Sequence, residues 1–153
     1  MKKIVAMILM IFVLISVSSC DLNAAYDDDA RIAKTGDSNS TSGTRSSIRN
    51  TYKQTGKITG TRTIWRYNAN SDAEITISYL LSVTEGGKAK LVLISPDDEV
   101  IVLAENADNT VNTEMQTQTV SIKKGLNRIK IVGYEAPRLE LELHVDAGTV
   151  VTN

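Results

Sequence analysis

The residues able to do chemistry are few. The chain has one histidine and one cysteine, and no serine or threonine stands beside a usable base in a recognisable pattern. His144 lies two and four residues after Glu142 and Glu140. On a strand that spacing puts all three on one face, where they form a possible zinc set, although a solvated strand face explains them as well. Trp65, Arg66 and Tyr67, with Tyr134 further on, are the candidates for sugar binding. An exposed aromatic ring stacks on a sugar, and a guanidinium holds its hydroxyls. The competing role for Trp65 and Tyr67 is to cap a core. Three acidic groupings have calcium-ligand chemistry: Asp27-Asp28-Asp29, Asp97-Asp98-Glu99, and Glu105 with Asn106 and Asp108. Turn formation and solvation account for them too. Gly86-Gly87 is a hairpin turn and lacks the strand–loop–helix setting of a phosphate cradle. Neither a nucleophile with its base nor a pair of catalytic carboxylates stands out. The expectation is therefore a non-enzymatic protein with no cofactor and no bound metal.

The elements that must position these residues follow from periodicity. From Lys57 onward apolar residues alternate with polar ones. Ile75, Ile77, Tyr79, Leu81 and Val83 share one face of a strand, and Leu139, Leu141, Leu143 and Val145 share one face of another. Ala89 to Ser95 carries apolar residues on both sides, which marks a central strand or one partly covered on both faces. Turn signals at Glu85–Lys88, Ser95–Asp98 and Lys124-Gly125 separate the runs. The spacing predicts seven strands, at about 57–68, 74–84, 89–95, 100–105, 116–123, 126–132 and 138–145. That pattern is all-β and predicts a small antiparallel β-sandwich, with an open barrel as the alternative, over 57–148, with a short tail at 149–153. Residues 20–56 are rich in Ser, Thr, Asn and Gly with little apolar periodicity, and read as a disordered linker.

The N-terminus sets the location. MKKIVAMILMIFVLISVSSC has two lysines, an apolar run from Ile4 to Ile15, small residues and then Cys20. This is the layout of a secretory signal peptide, and a membrane-spanning helix needs about 20 apolar residues. Val17-Ser18-Ser19-Cys20 resembles the lipobox of bacterial lipoproteins. The resemblance implies that residues 1–19 are a leader removed after the Cys20 thiol receives a diacylglyceryl group. It further implies palmitate-type acylation and anchorage at the extracytoplasmic face of the cell membrane. Two acyl chains give stable anchoring where one is marginal. Asp21 follows directly. In enterobacteria an aspartate there goes with inner-membrane retention, and in Gram-positive bacteria it has no such meaning.

Beyond the leader, 18 acidic and 15 basic residues leave a formal charge of −3. No basic tract suggests a nucleic-acid partner. The strand spacing and the segment Lys123–Gly133 resemble the β-sandwich domains of Firmicute surface lipoproteins, and more loosely galactose-binding-like and carbohydrate-binding modules. Those resemblances imply a binding or interaction module at the cell envelope, with an envelope glycan or envelope protein as its partner.

Overall fold

The computed structural model describes residues 21–152. The leader and Cys20, with the lipidation expected there, lie outside the described residues. The described chain is almost wholly antiparallel β. Nine strands are present: β1 (Ser38–Ile48), β2 (Thr51–Ala69), β3 (Ala73–Glu85), β4 (Lys88–Ile94), β5 (Val100–Ala107), β6 (Gln116–Ile122), β7 (Gly125–Tyr134), β8 (Arg138–Val145) and β9 (Thr149–Val150). A 3-10 turn (Leu22–Ala25) and a one-turn helix, α1 (Asp29–Ile32), precede them.

β2 joins the two layers of the sandwich. Its first half, Thr51–Lys57, pairs with β8, and the layer continues through β3 to β6. Its second half, Gly60–Ala69, pairs with β7, and that layer continues through β4 to β5. The same strand edge therefore feeds both layers, and the chain must curl between them. Gly56 (φ 144) and Gly60 (φ 88) stand at the corner. A Cβ would lie 2.0 Å from Ser42 O at Gly56 and 2.1 Å from Ser38 O at Gly60. Only glycine allows this backbone and this approach. The corner explains why the two faces of this strand are unclear in the sequence. A bulge between Thr63 and Trp65 then shifts the register. Before it, Tyr52, Ile58 and Arg62 face inward; after it, Trp65 does.

The core fills the space between the layers. Ile77, Leu81 and Val83 of β3, Leu139, Leu141 and Leu143 of β8, Leu91 and Leu93 of β4, and Ile129 and Ile131 of β7 are all buried there. These are the inward positions expected from alternation. The β5–β6 connection ties the layers together at one side: Val83 N donates to Thr110 O (2.8 Å) and Asn112 Nδ2 to Leu81 O (2.6 Å).

Residues 21–56 correct an expectation. They are not a disordered linker. β1 pairs with β2 along its full length, from Ser38↔Thr61 to Ile48↔Thr51. Its side chains are nearly all exposed, so no apolar alternation announced it. Backbone hydrogen bonds to β2 hold it instead. Residues 21–37 lie against the outer face of the β4–β7 layer, where Tyr26, Ile32 and Ala33 form a second cluster with Val92, Ile94 and Val132. This cover is why β4 is apolar on both sides. Thr149–Val150, expected as tail, adds to β2 beside Trp65 and Arg66.

Candidate functional site

The four expected sugar-binding residues do not form one surface. Trp65 is fully buried, its Nε1 donating to Ala147 O at 2.7 Å. Gly148 lies against the indole so closely that a Cβ there would sit 2.6 Å from Nε1. Tyr67 is half-buried with its ring 6.1 Å from that of Trp65. Arg66 is exposed, and strand alternation turns it to the opposite face. Tyr134 lies on the outer side of the β4–β7 layer, where it meets the ring of Tyr26 edge-on at 5.7 Å. Trp65 caps the core because its large apolar ring gains more from burial than any exposed site would offer.

The acidic groupings serve the fold. Lys123 Nζ sits between Asp97 (2.7 Å) and Glu99 (2.9 Å), the place a calcium ion would need. Asp98 pairs with Arg128 at 3.1 Å. Glu105 accepts from Tyr26 Oη (2.7 Å), Asp108 accepts from Gly86 N (2.7 Å), and Asp28 caps α1 by accepting from Arg31 N (3.0 Å). Among the described residues no group of His, Cys, Asp and Glu is placed to hold a metal.

The hydrogen bond from Lys123, joined by one from Ser95, holds the Asp97 carboxyl at about 2. A carboxylate depressed in this way contributes stability above the ordinary aspartate value of ~3.9, and the contribution is lost as the pH falls toward 2. The site is exposed, so the effect on folding is small. In a carboxyl NMR titration Asp97 is expected to show a midpoint near 2, and Lys123→Gln to move it back toward the ordinary range. An unmoved midpoint in the variant would remove Lys123 as the cause.

One of the hollows among the described residues, of about 770 Å³, is a candidate binding surface. It forms where the β1–β2 turn meets β8. Arg49 (φ 53) and Asn50 make the two-residue turn, and Ile48 beside them is 72% exposed. Lys53 and Glu142 face each other across β2 and β8 and pair at 2.9 Å. His144 Nδ1 lies 3.2 Å from Thr51 Oγ1. Donors (Arg49, Asn50, Lys53), the acceptor Glu142 and the His144 imidazole, which has one nitrogen of each kind when neutral, thus ring one apolar side chain. Such a rim matches a ligand that both donates and accepts hydrogen bonds, as hydroxyl groups do. The sequence drew attention to Glu142 and His144 but not to their partners, because Ile48–Lys53 sat in the supposed linker. The available signal was Arg49-Asn50 between two polar runs, a hairpin turn whose flanking strands show no apolar alternation.

The fold and the hollow define a class: an antiparallel β-sandwich that presents an open polar surface rather than a deep cleft. No known protein family matches the chain, and no curated protein matches it. Solved structures do resemble it. A pre-peptidase C-terminal domain of collagenase from Bacillus anthracis is 21% identical, with 70% of this chain and 97% of that chain covered and a TM-score of 0.42. A carbohydrate binding module of family 29 is 14% identical over 72% of this chain and 79% of that chain, with a TM-score of 0.39. A family 35 module from Paenibacillus barcinonensis is 16% identical over 72% and 99%, with a TM-score of 0.37.

Proposed function

We propose that this chain is a non-enzymatic binding module of the cell envelope, held to the extracytoplasmic face of the membrane by a diacylated Cys20, and that it takes an envelope glycan. The lipobox-like run before Cys20 supports the anchorage. The observation that carries the ligand is the hollow at the β1–β2 turn. It offers paired donors and acceptors around Ile48, and it is wide and shallow. A polymer passing over the surface can use such a site; a small substrate needing enclosure cannot.

Retention of the purified protein on cell-wall polysaccharide tests the reading. Lys53→Ala with His144→Ala removes two hydrogen-bonding groups at about 1 kcal/mol each, so retention is expected to weaken at least ~10-fold. Retention equal to that of the parent protein would rule the hollow out. Mass spectrometry of the native product tests the anchor separately: the expected N-terminus is Cys20 carrying a thioether-linked diacylglyceryl group, and an unmodified thiol would refute it.

A further inference from the structure

The outer face of the β4–β7 layer is unusual in its charge. β2, β4 and β7 contain no acidic residue at all. Their outward positions carry Lys88 and Lys90 on β4, Arg128 and Lys130 on β7, and Arg66 on β2. The register places these together: Val92 is opposite Lys130, Ile94 is opposite Arg128, and Arg128 is opposite Arg66. Lys90 is 7%, Arg128 4% and Lys130 0% exposed. Three cations are therefore buried on one sheet face.

What buries them is the segment 21–37. It contains five aspartates against Arg31 and Lys34. Among the described residues its backbone-to-backbone hydrogen bonds are internal to it, so it adds no strand to the sheet. Side chains hold it down. Lys130 Nζ donates to Lys34 O (2.7 Å) and Gly36 O (3.1 Å) and pairs with Asp37 at 3.2 Å. Lys88 and Lys90 lie over the ring of Tyr26, at 4.3 and 4.8 Å from its centroid. Arg128 keeps Nε and Nη1 buried without a partner, and Lys90 makes no ion pair among the described residues.

This arrangement is costly as a permanent cover. Each buried ammonium or guanidinium loses its hydration, and a face meeting only a fixed lid would be as stable or more so with each cation and its partner both replaced by apolar side chains. The segment gives Lys130 a carboxylate and two carbonyl oxygens, and it gives Lys88 and Lys90 a ring face. Arg128 has its one partner among the described residues, Asp98, outside the segment. We propose that the outer face of the β4–β7 layer is a binding surface for a polyanionic glycan, with segment 21–37 occupying it as an acidic strap until the ligand displaces it. Neighbouring strands lie about 4.8 Å apart and same-face residues along a strand about 7 Å. The cations thus form a grid on the scale of successive charged units in a polymer, with uronate carboxylates or phosphodiesters as the anions. The choice of an envelope polymer over nucleic acid rests on the export reading above. The surface itself is separate from the hollow at the β1–β2 turn.

The test uses the purified protein with polygalacturonate, poly(glycerol phosphate), neutral dextran and duplex DNA. Loosening the strap by Tyr26→Ala is expected to raise affinity for one or both anionic polymers at least ~10-fold, because the open form no longer has to be selected from a small population. The gain is expected to weaken with added salt and to vanish when Lys88→Gln and Lys90→Gln are added. The polymer that binds tighter identifies carboxylate or phosphodiester as the natural anion. In the unsubstituted protein, saturating polyanion is expected to speed amide exchange at Ile32 and Ala33 ~10-fold, which decides the matter even if Tyr26→Ala fails to fold. Unchanged exchange there overturns the proposal. So does equal binding of dextran, tighter binding of DNA, or a gain that survives the loss of Lys88 and Lys90. Loss of glycan retention in Lys53→Ala/His144→Ala leaves these readouts untouched, so the two surfaces are judged independently.

Discussion

Trp65→Ala is expected to lower folding stability by about 3–5 kcal/mol, the usual range for removing a large buried aromatic. Three losses combine. The indole leaves a cavity between the layers at the point where β2 carries both β7 and β9. Ala147 O loses its donor, and an unsatisfied buried carbonyl adds its own desolvation cost. Gly148, fitted against the ring, loses the surface it packs on. A domain of this size has only about 5–15 kcal/mol of net stability, so the variant should unfold at a much lower urea concentration. The experiment is a pair of urea titrations followed by far-UV circular dichroism. A loss below about 1 kcal/mol would show that Trp65 does not bear on the core. Any change in glycan retention by this variant is expected only in step with unfolding, since the side chain reaches no surface.

Lys130→Met is expected to release segment 21–37 at a cost of about 3 kcal/mol. Breaking a buried ion pair by removing one partner costs about 3–5 kcal/mol, and Asp37 is 28% exposed at its side chain, which places this pair at the low end. Asp37 retains Thr63 N and Oγ1 as donors (2.9 and 2.8 Å), but the carbonyls of Lys34 and Gly36 lose theirs. Burial pushes the Lys130 ammonium below its ordinary value, against the opposing influence of Asp37. The folded chain then releases this proton at lower pH than the unfolded chain. Stability should therefore rise with pH in the window just below the ordinary lysine value of ~10.4, and Lys130→Met should abolish that rise. Limited trypsin digestion reads the release directly. Cleavage after Arg31 and Lys34 is expected to accelerate in the variant while the strands stay intact. Cleavage at the parental rate would show that apolar contacts of Tyr26 and Ile32 hold the segment without Lys130.

Much of the sandwich was legible because its strands obey a simple rule. β3 and β8 each bury one face, and alternate Ile, Leu and Val record it. β4 buries both faces, and its continuous apolar run was a correct sign of two covers, although the identity of the second cover was not visible. β1 escaped notice since it buries almost nothing, and residues 21–37 escaped because two four-residue turns are too short to show a period. Trp65 and Tyr67 look alike in the chain as sugar platforms or core caps. Their roles depend on which side of a bulge they fall.

The sequence by itself determined the all-antiparallel architecture, most of the inward residues and the scarcity of catalytic groups. These are consequences of alternation and composition, which are local or additive properties. Only the tertiary structure decided that β2 turns a corner between layers, that Lys123 and Lys130 stand among carboxylates and carbonyls from distant segments, and that the polar hollow forms at the β1–β2 turn. Each of those depends on strands far apart in the chain meeting at one register, and no local pattern encodes which cation will face which acid.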